Sequence, residues 1–239
     1  MTTLLFLDDC HVGDPLFLAD LGRRLSKLGR DGRTVIVHRV GEAVDRELEN
    51  SNPRDRILTT EKTIRETNHG IARRLTQEGV PAVSIQGSDR GLFRTGDPSS
   101  PASAPLRRAS PRQAHRLSTN ATWLLAMIGT GSIPVVSPLA LGPAGAEAVD
   151  PVECAREIAH LAASAGDVHA ALFCSTRKGG LFQDGVRLGS ITVSDLANQA
   201  EIIDVEAAVT LVKAVDRLVA TNSVGVTGEL SVKGTIITT

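Results

Sequence analysis

The sequence has no tyrosine, and aromatic residues fill only 3% of its 239 positions. Surfaces that bind single-stranded nucleic acid stack bases on aromatic side chains, so a nucleic-acid partner is not expected. Neither sign of charge is in excess: 26 Lys and Arg stand against 27 Asp and Glu, a formal net charge of -1. No broad attraction to nucleic acid or to an anionic membrane follows. No apolar run approaches the roughly 20 residues that cross a bilayer. The apolar start, Met1 to Leu7, runs straight into Asp8 and Asp9, too short and too acidic for a secretory leader. Cysteine is scarce. Cys10, Cys154 and Cys174 stand singly, with no Cys-x-x-Cys pair and no metal-ligand spacing. Isolated thiols of this kind suit a reducing, cytoplasmic setting. The histidines show no metal spacing within one helix, and neither G-x-S-x-G nor G-x-x-x-x-G-K-[ST] occurs.

What is present is alternation. Leu4–Leu7 is a short apolar run and reads as a buried strand. Pro15–Leu28 carries Leu16, Leu18, Leu21, Leu25 and Leu28 at helical spacing. Thr34–His38 is β-branched and apolar at successive positions, a strand buried on both faces. Glu61–Glu78, with Ile64, Ile71 and Leu75 on one side, predicts a surface helix, and Pro81–Ile85 another strand. This order predicts an α/β fold, a three-layer α/β/α sandwich with a mainly parallel central sheet. The segment 94–118 holds Pro98, Pro101, Pro105 and Pro111 among many Ser, Ala and Arg, and is expected to be a mobile loop. Beyond it, Thr119–Ile128 reads as a helix, Ile133–Leu141 as one strand, and Pro151–Ala165 as a helix opened by Asp150 and a proline. His169–Cys174 reads as a strand and Leu181–Ile191 as a hairpin around Gln183-Asp184-Gly185. Val205–Ala220 reads as a helix with Val205, Ala208, Val209, Val212, Val215 and Val219 inward, followed by strands at Ser223–Val226 and Thr235–Thr238.

Local sequences in that order resemble acetylglutamate kinase and the wider amino acid kinase superfamily over nearly the whole chain. Thr34–Leu48 (TVIVHRVGEAVDREL) resembles the family's strand, glycine loop and helix, VVHGGGPEID. Ala82–Leu92 (AVSIQGSDRGL) is similar to AVGLSGxDGGL, and Ile133–Gly142 (IPVVSPLALG) to IPVIAPxGxG. Thr176–Leu181 (TRKGGL) sits where the family has TDVPGL, Val205–Ala208 where it has KVEAA, and Lys233–Thr238 (KGTIIT) resembles the closing strand. The resemblance implies one domain over 1–239, with an acyl-substrate side over 1–142 and a nucleotide side over 143–239. It also implies phosphoryl transfer that depends on cations and glycine loops placed around the phosphates.

Position by position, that chemistry is degraded. The family's first strand runs into K-x-G-G-S; here the matching residues are Phe6, Leu7, Asp8, Asp9 and Cys10. The second glycine loop reads Arg39-Val40-Gly41, so only Gly41 is kept. The catalytic aspartate of the family's N-x-N-A-D becomes Val152, with Asp150 on the second asparagine; a single gap in the alignment would make Asp150 the aspartate instead. Asp150 equally suits a helix cap. The lysine before VEAA becomes Asp204, a charge reversal that also suits a cap. Arg56 matches the arginine that grips a substrate carboxylate, and Arg39 offers a second planar fork for an anion. Gly87, with Asp89 and Gly91, keeps part of the substrate-side loop. Thr176, Arg177, Lys178 and Gly180 fall on the nucleotide side.

Three readings follow. The first is a catalytically impaired kinase-like protein that serves as a ligand-binding, regulatory or structural subunit, with no cofactor. The second is an active ATP- and Mg-dependent kinase of an N-acyl amino acid or related acid, with Arg39, Arg56, Arg177 or Lys178 replacing the lost lysines and Asp8 and Asp9 carrying magnesium. The third is a small-anion storage or sensing protein. The expected partners are a second copy in a homodimer, a small anionic ligand or a related kinase subunit. Because the first strand begins at residue 3 or 4, the N-terminal helix of the family's hexamers is not expected.

Overall fold

A computed structural model describes residues 1–28, 33–96, 117–120, 122–176, 179–226 and 233–239. β1 (Thr2–Leu7) leads to α1 (Asp9–Val12), α2 (Pro15–Leu25), β2 (Arg33–His38), α3 (Gly41–Glu49) and α4 (Arg56–Gln77). Then come β3 (Ala82–Gln86), β4 (Phe93–Arg94), β5 (Ser118–Thr119), α5 (Thr122–Gly129), β6 (Ile133–Ser137), β7 (Leu139–Gly142) and β8 (Gly145–Ala148). The chain closes with α6 (Pro151–Ala163), β9 (Val168–Phe173), β10 (Phe182–Gln183), β11 (Val186–Arg187), β12 (Ser190–Thr192), α7 (Val205–Leu211), β13 (Arg217–Thr221) and β14 (Thr235–Thr238).

Eight strands form the central sheet in the order β12-β14-β13-β9-β1-β2-β6-β3. Every pairing in it is parallel except β13 with β14. β1 lies in the middle, flanked by β2 and β9, and all six of its residues are buried. Because side chains alternate across a strand, neighbours in sequence serve opposite layers. Leu4 and Phe6 of β1 pack with Leu124 of α5, Ile158 of α6 and Ala208 of α7. Leu5 and Leu7 pack with Leu21 of α2 and Ile71 and Leu75 of α4. This is the α/β/α sandwich read from the sequence. A four-stranded sheet, β5-β4-β7-β8, joins Phe93 and Ala140 to the layer that holds α6. Among the described residues, no helix is long and apolar enough to cross a membrane.

Several sequence expectations are corrected. The segment Ile133–Leu141 is not one strand. Pro138 has no N–H to continue a ladder, so β6 stays beside β2 and β3 while β7 pairs with β4 and β8. The helix expected over Val205–Ala220 stops at Leu211. Asp216 then clamps the chain beside β9: its N–H donates to Val168 O at 2.9 Å, and its Oδ2 accepts from Val168 N at 2.7 Å. From there Arg217–Thr221 runs as a strand, with Val219 in the layer of α2 and α4. Ser223–Val226 is not a strand, because Asn222 Oδ1 accepts from Gly225 N at 3.1 Å and curls 223–225 into a 3-10 turn. The helix at Glu61–Glu78 begins earlier, at Arg56. The hairpin forms around Asp184 (φ 50°) and Gly185 (φ 79°), left-handed at both central positions as a tight hairpin turn requires. Ser190 and Ile191, counted within that hairpin, instead join the main sheet with Thr192 beside β14. Residues 97–116 of the expected mobile loop 94–118 lie outside the described residues; its flanks, β4 and β5, pair antiparallel.

Candidate functional site

The chain leaves β1 toward β2, β6 and β3 on one side and later returns through β9 and β13 on the other. In open parallel sheets, the crevice beyond the C-terminal ends of the strands where this reversal occurs is the usual ligand site. Here that edge is formed by Asp8 and Asp9 after β1, Arg39 after β2, and Cys174 to Thr176 after β9.

Aspartates dominate this edge, and each is turned to a helix start. Asp8 Oδ1 accepts from Asp9 N at 2.8 Å and caps α1. The Asp9 carboxylate accepts the backbone N–H of Glu42 in the first turn of α3. Asp9 reaches that turn because Gly41 has no side chain; a Cβ there would stand 3.1 Å from Asp9 Oδ2. Burial, then the Asp8 charge, raises the Asp9 carboxyl above its ordinary range, and the Glu42 N–H works against both. Asp150 Oδ1 takes Val152 N at 2.8 Å on α6, and Asp204 Oδ1 takes Ala207 N at 2.9 Å on α7. A helix start is the natural place for an anion, because its N–H groups and dipole point there. In this chain the anion at each of these starts is its own.

Arg39 stands at the centre. Its Nε donates to Asp204 Oδ2 at 2.6 Å and lies 3.5 Å from Asp8 Oδ1. Its Nη2 donates to Glu206 Oε2 at 3.3 Å. The guanidinium carbon sits 5.7 Å from the centroid of the Phe6 ring. Burial alone would weaken the charge, but the bond to Asp204 and the charges of Asp204 and Asp8 outweigh it, so the group is held as a cation more firmly than usual. Residues 165 apart in sequence, Arg39 and Asp204, thus share one ion pair. Val40, at φ −148° and ψ 11°, precedes α3 and makes no side-chain cap hydrogen bond.

The structure therefore brings Phe6, Asp8, Asp9, Arg39, Gly41 and Asp204 together. The other sequence-derived candidates lie elsewhere or have other tasks. Val152 is buried at the start of α6, between Asp150 and the core. Arg56 is exposed in the first turn of α4 and has no partner among the described residues. Gly87 allows close packing: a Cβ would collide with the carbonyl oxygens of Ser137 and Leu139. Gly180 (φ 127°) packs against Thr235. Arg177 and Lys178 lie outside the described residues. Thr176 faces a second crevice on the α2 side of the same edge, a cavity of about 300 Å³ that Cys10, His11, Phe17, Cys174 and Asn222 also line.

In that cavity His11 Nε2 lies 3.0 Å from the Cys174 carbonyl and must be the N–H donor. Its Nδ1 lone pair then faces the Cys10 thiol at 3.3 Å. Burial lowers the imidazole pKa, and His11 packs among Phe17 and Phe173 with ring centroids 4.5 and 5.8 Å away. Burial and then the Asp8 charge push the Cys10 thiol up to about 11, so it is a poor nucleophile at neutral pH.

Sequence reasoning missed a buried polar chain beneath the crevice. His38, 0% exposed, donates from Nδ1 to Arg39 O at 3.0 Å and accepts at Nε2 from Asn68 Nδ2 at 2.9 Å. Asn68 Nδ2 also donates to Val135 O at 2.9 Å, and its Oδ1 accepts from Ser84 Oγ. Ser137 Oγ bonds Gln86 Oε1 at 2.8 Å. Burial depresses the His38 imidazole to about 4. The available signal was Asn68 on the inward face of α4, in line with Ile64, Ile71 and Leu75.

No protein-family model matches the chain, and no curated protein matches it in sequence. Solved structures do match in shape. The smu.665 protein of Streptococcus mutans UA159 shares 18% identity at a TM-score of 0.66, over 99% of this chain and 98% of that one. An isopentenyl phosphate kinase shares 17% at a TM-score of 0.62, over 100% of each chain. The aspartate kinase of Synechocystis shares 14% at a TM-score of 0.67, over 100% of this chain and 40% of that one. At these identities the likeness speaks to architecture alone, and this chain has the amino-acid-kinase fold.

Proposed function

We propose that this chain is a catalytically impaired, cytoplasmic relative of acetylglutamate kinase that acts as a ligand-binding, regulatory or structural subunit. The observation that carries the reading is the ion-pair network of Arg39 with Asp8, Asp204 and Glu206 over Phe6. The resemblance puts transferable phosphate here, between two lysines and two glycine loops. Phe6 and Asp204 stand at the lysine positions, and the carboxylates of Asp8 and Asp9 at the glycines. A carboxylate about 4 Å from a phosphate charge costs roughly 4 kcal/mol at an effective dielectric of 20. The residues present do not fit Mg-ATP. Arg39 is committed to carboxylates, and Asp9 faces the α3 N-terminus.

The test is a coupled nucleotide-turnover assay with N-acetylglutamate, N-acetylaminoadipate, aspartate and isopentenyl phosphate as acceptors. No turnover above background is expected. Turnover that is lost in Arg39→Ala would refute the reading in favour of relocated cations.

A homodimer fits the same reading. Among the described residues β3 is an end strand of the sheet, and it carries neither charge nor proline. Val83 is 37% exposed beside a groove of about 570 Å³ against α4 that His69 and Arg73 also line. Light scattering is expected to give twice the chain mass, falling to the chain mass in Val83→Lys; a wild-type monomer refutes the pairing.

A further inference from the structure

We infer that the cavity of about 300 Å³ on the α2 side is a second, separate ligand site, and that it takes a small organic ammonium ion with an apolar body. Its walls are the turns that follow β1, β9 and β13 together with the first turn of α2. The C-terminal ends of strands in an open parallel sheet are where such folds hold ligands. The volume is at the small end of the roughly 300–1,000 Å³ found for ligand pockets, so the ligand is small. Neither Phe6, Arg39 nor Asp204 lines it. The inference therefore stands whether or not the neighbouring crevice transfers phosphate.

The polar groups of the wall have spent their hydrogens. His11 donates from Nε2 to Cys174 O at 3.0 Å, Ser175 Oγ to Glu201 O at 2.9 Å, and Ser223 Oγ to Asp20 Oδ2 at 2.5 Å. What these groups have left for a ligand is lone pairs. Asp14 adds a charge at the mouth. Its Oδ1 accepts from Leu16 N at 2.8 Å and Phe17 N at 3.2 Å, and its Oδ2 has no partner among the described residues. Asp20, the other carboxylate of the wall, is matched by Arg24 Nε at 3.1 Å. Among the described residues, no Lys or Arg lines the cavity. A wall of acceptors with one unmatched negative charge selects a ligand that donates hydrogens and carries positive charge.

The rest of the wall is hydrocarbon, which calls for an organic cation rather than a metal ion. Phe17 is held edge-to-face against Phe173, with ring centroids 5.1 Å apart. Leu16 and Val224 form part of the rim and are 72% and 57% exposed. Apolar side chains left in water beside a hollow are what the body of a ligand covers. An aromatic ring in the same wall adds attraction for an ammonium group.

The probe is benzylammonium chloride, titrated into the full chain at neutral pH against sodium chloride at matched ionic strength. Benzyl alcohol and sodium benzoate are its neutral and anionic counterparts. Calorimetry reads affinity. The rate of iodoacetamide labelling at Cys10, an exposed thiol in the wall, reports whether the cavity is the place filled. At about ten times its dissociation constant, benzylammonium should slow that labelling about tenfold, because about one site in eleven stays open. It should bind about two- to fivefold more tightly than benzyl alcohol, the gain expected of one exposed ion pair. Benzoate should not protect. Asp14→Asn keeps a side-chain cap on α2 and should erase the gap between benzylammonium and benzyl alcohol. Val224→Lys sets a cation on the rim and should abolish protection, and Leu16→Lys repeats the test on α2 in case the first lysine variant folds poorly. The inference is overturned if benzylammonium leaves the labelling rate at the salt control, if benzyl alcohol or benzoate protects equally well, or if both lysine variants are still protected.

Discussion

Acid should destabilise this protein, and the buried imidazole of His38 should account for a separable share of the loss. His38 is fully buried, and its neighbours fix it as a neutral ring. Nδ1–H is spent on Arg39 O, and Nε2 receives an N–H from Asn68. A proton added at Nε2 would meet a donor, and the amide of Asn68 cannot simply turn round, because its Oδ1 holds Ser84 and its nitrogen also holds Val135 O. The pKa accordingly falls from 6.5 to about 4, with burial as the main cause. At neutral pH both the folded and the unfolded states are neutral, and the group is indifferent. As the pH drops below the unfolded value the unfolded chain takes up a proton that the folded chain refuses, so stability is lost from about pH 6.5 down to about pH 4. A shift of that size is worth about 3 kcal/mol, at 1.36 kcal/mol for each pH unit. Urea denaturation of wild type and His38→Gln at about pH 7 and pH 4 isolates the effect, since the other acids titrate in both proteins. The wild type should lose about 3 kcal/mol more than the variant across that interval. Equal losses would refute the claim that His38 remains neutral in the folded state.

Cys10 is exposed, yet its thiol is pushed up to about 11. Its thiolate is about a hundredfold scarcer than at the ordinary value, while the higher basicity restores part of the lost reactivity, for a net alkylation rate about tenfold below free cysteine. Iodoacetamide labelling followed by mass spectrometry reads this rate; labelling as fast as free cysteine would show that burial and the Asp8 charge do not suppress the thiolate. Two glycines should respond in opposite ways to alanine. Gly87→Ala drives a methyl group into the carbonyl oxygens of Ser137 and Leu139 and should cost roughly 3 kcal/mol or more. Gly70→Ala meets open space on α4 and should gain about 1 kcal/mol from helix propensity. Urea midpoints measure both, and a neutral Gly87→Ala would mean that the crossing of β3 and β7 is looser than described.

Much of the architecture was legible because the strands are buried on both faces. Leu4–Leu7 is an unbroken apolar run, and Val35–Val37 is one between Thr34 and His38, with no polar face of the kind a surface helix shows. The errors fell where two periods coincide. Val205 to Val219 places valines at helical spacing, but the last of them belongs to a strand that a single side chain, Asp216, pins beside β9. The Ile133–Leu141 run hid its own break, since Pro138 is apolar and only its missing N–H separates the two sheets. At the site, residue types were readable and partnerships were not. Local sequence shows Asp8 and Asp204 as negative charges at strand and helix ends. It does not show that Arg39 reaches both, because that contact depends on the β9-β1-β2 order. The His38–Asn68 bond was missed for the same reason, although a lone asparagine on an apolar helical face was a visible cue.

The doubled duty of Asp204 bears on how such a protein can change. One oxygen holds the first turn of α7, and the other holds Arg39. A lysine there would strip the turn of its acceptor and set two cations against each other over Phe6. Through this one side chain the start of α7 and the segment after β2 are tied together, so neither contact can be altered without disturbing the other.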